Sequence, residues 1–124
     1  MKIAYAAALL AGFAAPTLPD EVPRAPVADP RPVMLAALRS VDGEAHAILS
    51  GEIAEALTQR FAATSPIYID VTTEKRYAQT GCARLNVRFW QDGVLLPGTS
   101  VPRRQTMDFG INYCLDGRPP QSLK

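Results

Sequence analysis

The chain alternates between apolar stripes at helical spacing and apolar residues at every second position, and the change comes near its middle. Val33 to Val41 is a short apolar run that predicts a first helix, broken at Asp42-Gly43. His46 to Leu49 fits either a strand or a helix. From Gly51 the pattern is helical. Ser50 can cap, Glu52 and Glu55 sit at the positive N-terminal end, and Arg60 lies in the last turn. Ile53, Leu57, Arg60 and Phe61 share one face, with Ala54 and Ala56 beside it, so this helix is expected to pack an Ile53/Leu57/Phe61 stripe on an apolar surface. Thr64-Ser65-Pro66 stops it.

After Pro66 the period becomes two. Ile67, Ile69, Val71 and Thr73 alternate with Tyr68, Asp70 and Thr72. A second strand is expected over Arg84 to Gln91, with Leu85, Val87 and Phe89 on one face and Asn86, Arg88 and Trp90 on the other. A third is expected over Gln105 to Cys114, with Met107, Phe109, Ile111 and Tyr113 against Thr106, Asp108, Gly110 and Asn112.

The two cysteines fix a register. If Cys82 stands opposite Cys114 in an antiparallel pair, facing residue numbers sum to 196. Leu85 then faces Ile111, Val87 faces Phe109 and Phe89 faces Met107, all apolar and on one side. On the other side Arg88 faces Asp108, Arg84 faces Asn112 and Asn86 faces Gly110. A slip of one residue would set apolar against polar positions. The same sum centres the connection on Gly98, within Pro97-Gly98-Thr99, where turn chemistry is right. Strict alternation puts both cysteines on the polar side, so the expected Cys82–Cys114 disulfide lies at the end of the sheet. The bridge encloses about 30 residues, a loop whose closure contributes on the order of 3–4 kcal/mol. The fold class expected is α+β: an antiparallel three- to four-stranded sheet, one disulfide, and an amphipathic helix over the Leu85/Val87/Phe109/Ile111 face.

The two ends read differently. Lys2, an uncharged stretch from Ile3 to Ala15, and Gly12-Phe13-Ala14 with small residues two apart form a secretory signal pattern cut after Ala14. The stretch is shorter than the roughly 20 apolar residues a membrane-spanning helix needs, so no transmembrane segment is expected in the mature chain. Residues 15–32 follow as a Pro-rich linker: six of the 11 prolines fall between Pro16 and Pro32, which favours an extended, solvated conformation. The folded domain is expected over 33–118 and a flexible tail over 119–124. Export implies an oxidising compartment, periplasmic or secreted, where two cysteines pair.

The 124 residues carry a net charge of +1, so no direct nucleic-acid binding is expected. The charge is split, however. Residues 16–70 hold eight acids and four bases, and residues 71–124 hold four acids and eight bases. One His and two Cys are too few for a structural zinc site, which takes about four ligands, and no cofactor or metal is expected. There is no Gly-x-Ser-x-Gly elbow, phosphate loop or His-Glu-x-x-His motif. His46 stands alone, Glu52 and Glu55 are accounted for by the helix dipole, and Asp70 and Glu74 read as solvated strand and loop residues. No catalytic residue is assigned and the chain is not read as an enzyme.

What remains is the polar face of the hairpin. It carries Arg84, Arg88 and Trp90, with Tyr68 on the same side of the first strand and Arg103-Arg104 at the mouth of the connecting loop. Trp and Arg are enriched where protein interfaces concentrate their binding energy, so these five hairpin residues are the candidate partner-binding set. The apolar Val94-Leu95-Leu96-Pro97 stretch lies in a loop and is read as a covered or docking segment.

The run from Tyr77 to Pro120 contains Gly81-Cys82-Ala83-Arg84-Leu85, Phe89-Trp90-Gln91-Asp92-Gly93-Val94-Leu95-Leu96-Pro97-Gly98, Phe109-Gly110-Ile111-Asn112-Tyr113-Cys114 and Asp116-Gly117. This block resembles small exported proteins encoded with bacterial conjugative-transfer or type IV secretion systems. The resemblance covers about a third of the chain and brings no catalytic residues with it. It implies an accessory role in the bacterial envelope with a protein partner. The reading that follows is a periplasmic, disulfide-stabilised interaction module. The alternative is a small secreted inhibitor or ligand-binding protein acting as a free monomer.

Overall fold

The computed structural model describes residues 22–124, and the signal segment and the first part of the Pro-rich stretch lie outside the described residues. Seven elements follow in order: β1 (Ala25–Val27), α1 (Arg31–Arg39), β2 (Ala45–Leu49), α2 (Glu52–Arg60), β3 (Ile67–Arg76), β4 (Cys82–Val94) and β5 (Arg103–Cys114). The strands form one sheet in the order of the chain, β1-β2-β3-β4-β5. β1 runs parallel to β2, and every later pair is antiparallel. The class is α+β as expected. The sheet differs from expectation in having five strands and in being mixed, because α1 forms a crossover between two parallel strands.

The β4–β5 ladder has the expected register. Cys82 faces Cys114, Leu85 faces Ile111, Val87 faces Phe109, Arg88 faces Asp108 and Gln91 faces Gln105, before a bulge shifts the pairing to Val94 and Arg103. Thr99 closes the connecting turn by donating to the Leu96 carbonyl at 3.1 Å, on either side of Gly98. Cys82 and Cys114 are disulfide-bonded, and both are buried at the end of the sheet.

The covering helix is α1, a correction to the expectation that α2 would do so. Val33, Met34, Ala37 and Leu38 of α1 pack on Ala47, Ile69, Val71, Ala83, Leu85, Val87 and Tyr113, and Ile69, Val71 and Leu85 are fully buried. Of α2 only Ala54 is buried, and Ile53 remains 78% exposed. The cause lies in how α2 is tethered. Its exit is pinned to the far end of β4 by two backbone bonds, Leu95 N–H to Phe61 O at 2.9 Å and Thr64 N–H to Asp92 O at 3.0 Å. Gln91, the one buried polar residue on that face among the described residues, donates to Thr58 Oγ1 at 2.8 Å and Ser65 O at 2.9 Å. These bonds hold α2 beside the half of the sheet that α1 leaves open, with Gly51 at its N-cap and no side-chain cap from Ser50.

Two boundaries also move. Within the described part of the Pro-rich stretch, Ala25–Val27 pairs with β2, and α1 begins at Arg31. Pro26 costs no ladder bond on an edge strand, and Pro32 sits in the first helical turn, where its missing N–H has no partner to lose. At the other end, the Ala78 N–H bonds to Lys124 O at 2.8 Å and the Gln121 N–H to Gln79 Oε1 at 2.8 Å, so residues 119–124 are tied to the β3–β4 connection.

Candidate partner-binding face

Strand alternation places both helices on one side of the sheet. Among the described residues no helix lies over the other side. Across it the registers assemble two rows. One runs Pro26, Ile48, Tyr68, Trp90 and Thr106. The next runs His46, Asp70, Arg88 and Asp108.

Asp70 is the hub. Its Oδ1 lies 2.6 Å from His46 Nδ1 and 2.8 Å from Arg24 Nη1, and its Oδ2 accepts Trp90 Nε1–H at 2.6 Å. Burial works against the carboxylate's charge. The bonds from His46, Arg24 and Trp90 outweigh it and hold the carboxyl below its ordinary range. Three donors on one carboxylate leave it little capacity to take a further proton, so its role is positional. Asp70 is therefore a half-buried network centre and not the solvated strand residue expected. His46 is held through Nδ1 by Asp70, and its Nε2 lies 3.8 Å from Glu44 Oε2.

Arg24 comes from the segment just before β1 and is nearly buried, its side chain 8% exposed. It also donates to the carbonyls of Ala47 at 3.2 Å and Ile69 at 3.3 Å. Its guanidinium lies 4.7 Å from the Tyr68 ring centre and 5.6 Å from that of Trp90. Tyr68 and Trp90 stack with centroids 4.3 Å apart, and Arg104 covers Trp90 at 4.3 Å. Trp90 thus has its indole N–H satisfied and its rings within cation–π reach of two guanidinium groups. A concavity of about 300 Å³ opens here, lined by Arg24, His46, Asp70, Arg88, Trp90 and Thr106 among others.

Four of the five residues expected to bind a partner share this face: Arg84, Arg88, Trp90 and Arg104. Arg88 pairs with Asp108 at 2.8 Å, which lowers the Asp108 carboxyl together with a bond from Asn86. Arg84 reaches Asn112 Oδ1 at 3.3 Å and Glu74 at 3.7 Å. Arg104 pairs with Asp92 at 2.6 Å. Arg103 is the exception. It lines a separate hollow with Val94, Leu96 and Val101. Neighbours in a strand point to opposite sides, so Arg103 and Arg104 cannot serve one face.

A second surface is lined in part by Val94 and Leu96, from the segment read as covered or docking. Between α2 and the ends of β4 and β5 lies an apolar groove of about 480 Å³, lined by Leu57, Phe61, Phe89, Met107 and Phe109 among others. It is the half of the sheet that α1 leaves uncovered. Among the described residues, no group of three or more His, Cys, Asp or Glu side chains is arranged to hold a metal ion, and no helix is long and apolar enough to cross a membrane. No protein family, curated protein or solved structure matches the chain.

Proposed function

We propose that this chain is an exported, disulfide-stabilised interaction module that works without catalysis, as an accessory part of a conjugative-transfer or secretion apparatus in the bacterial envelope. Its partner is a protein, and it contacts the helix-free face around Trp90. One observation supports this above the others: an aromatic pair, Tyr68 and Trp90, is locked in place by Asp70 and flanked by guanidinium groups on a sheet face that no described helix covers. A side chain already fixed before contact loses little conformational freedom on binding, and this is the property of an interface anchor. Arg88 and Arg84 then offer guanidinium groups to carboxylates of the partner. The disulfide supports the placement in an oxidising compartment.

The test is co-purification from the native host with tagged chain carrying Arg88→Ala and Trp90→Phe. Phe keeps the stacking on Tyr68 and loses the bond to Asp70, so the fold, checked by circular dichroism and the intact disulfide, is retained. Loss of envelope proteins from the eluate is expected. Unchanged recovery of the same proteins overturns the choice of face. A wild-type chain that elutes alone overturns the module reading in favour of the free inhibitor or ligand-binding monomer.

A further inference from the structure

β5 ends the sheet, and its outer edge is built to take a strand. Cys114 N–H turns away from β4 to Arg118 O at 3.0 Å, while Leu115 N–H bonds across to Gly81 O at 2.9 Å. Antiparallel ladders alternate between bonded and non-bonded pairs, and the β4–β5 register is unbroken from Cys82 to Gln91. The odd-numbered residues of β5 therefore bond to β4. The even-numbered residues Thr106, Asp108, Gly110 and Asn112 present their backbone N–H and C=O outward, with no strand beyond them among the described residues. The stretch from Thr106 to Asn112 has no Pro, no Lys and no bulge, and Asp108 is its one charged residue. Met107 and Phe109 on its groove side are 59% and 50% exposed.

We infer that this edge pairs with the same edge of a second copy, antiparallel, about a two-fold axis through Phe109. Both faces of the strand select that register. With the axis at Phe109, Phe109 meets Phe109 of the second copy, and Met107 meets Ile111 on the apolar side. On the polar side Asp108 meets Gly110 of the second copy. Gly110 is where Arg84 lies across the strand: a Cβ there would collide with the Arg84 guanidinium. The guanidinium of one copy is thus delivered to the carboxylate of the other, and the symmetry repeats the contact. An axis at Asp108 sets the two carboxylates against each other. An axis at Gly110 sets the two Arg84 groups against each other. Like charges directly opposed across strands are destabilising. Pairing runs over residues 106–112 and ends where Arg118 occupies the Cys114 amide. It also extends the apolar groove across the axis, so that Met107 and Phe109 gain apolar neighbours.

The full chain, purified from an oxidising compartment, is the material for the test. A residue on the axis faces its own copy at a non-bonded position, where Cβ atoms lie about 4.5–5.5 Å apart, close enough for a disulfide after a small shift. Phe109→Cys is therefore expected to form a covalent dimer on mild oxidation, reversed by reductant, with Cys82–Cys114 confirmed intact by peptide mapping. Met107→Cys faces Ile111 and is expected to stay uncrosslinked. In sedimentation, the unsubstituted chain should show a reversible monomer–dimer equilibrium, and Asp108→Arg should raise its dissociation constant roughly tenfold by placing two cations together. A folded Phe109→Cys chain that stays monomeric, preferential crosslinking through Met107→Cys, or an unsubstituted chain that is monomeric at every concentration overturns the inference.

Discussion

Asp70 and Trp90 meet at 2.6 Å, carboxylate oxygen to indole nitrogen, on the open face of the sheet. The contact makes a stability prediction with a definite sign. The Asp70 carboxyl is held below its ordinary range in the folded chain. Its contribution is therefore present above the unfolded value of about 3.9 and is lost as pH falls through the lower folded value. Asp70→Asn puts an amide among three donors and should cost about 1–3 kcal/mol at neutral pH. In urea titrations the gap between the two chains should close in strong acid. A gap of the same size there would contradict the role given to the charge.

Arg24 ties the strand β1 to the rest of the sheet. Removing it leaves the Asp70 carboxylate short of its cation in a half-buried site. Arg24→Ala should cost about 3 kcal/mol. The loss should be local in origin. Hydrogen exchange should quicken at Ser50, whose N–H bonds to Val27 O at 2.8 Å across the β1–β2 pair. Arg31→Ala breaks an exposed pair with Asp29, 2.8 Å apart, and should leave stability almost unchanged.

The two helices should respond differently to truncation. Leu38 of α1 is 7% exposed and sits on the core, whereas Ile53 of α2 is 78% exposed. Leu38→Ala should cost about 2–5 kcal/mol, and Ile53→Ala about 0.5 kcal/mol or less. Thermal melts of the two variants decide between α1 and α2 as the covering helix.

Replacing Cys82 and Cys114 together with Ala should cost about 3–4 kcal/mol, the closure entropy of a loop spanning a sequence separation of 32. The pairing of β4 with β5 should survive, since its alternation and charge pairing act independently of the bridge. Denaturant unfolding, with backbone exchange across Leu85–Ile111, separates the two effects.

The parts of this fold that the sequence discloses are those written in adjacent, self-consistent patterns. Leu85, Val87 and Phe89 read against Ile111, Phe109 and Met107 because one hairpin contains both strands and one disulfide marks their end. The helix α1 is likewise visible in the run from Val33. Which helix covers the core was not legible. The stripe of Ile53, Leu57 and Phe61 is the more regular one, but two backbone bonds at its exit and the polar side chain of Gln91 hold it away from the sheet's centre. The network at Asp70 was hidden for a different reason. Its members come from three separated segments, at Arg24, His46 and Trp90, and only the order β1-β2-β3-β4 brings them together. The placement of Arg103 away from Arg104 could have been read from strand alternation alone.

The central claim is that the face around Trp90 meets a protein of the envelope. It is tested most directly by a photo-crosslinking side chain at position 106 in living cells of the native host. Thr106 is exposed and faces Trp90 across the β4–β5 pair, so the substitution leaves the aromatic pair, Arg84 and Arg88 in place. Adducts with one or a few envelope proteins, identified by mass spectrometry, are expected, and they should vanish when Trp90→Phe is added. A chain that crosslinks to nothing, or only to itself, contradicts it.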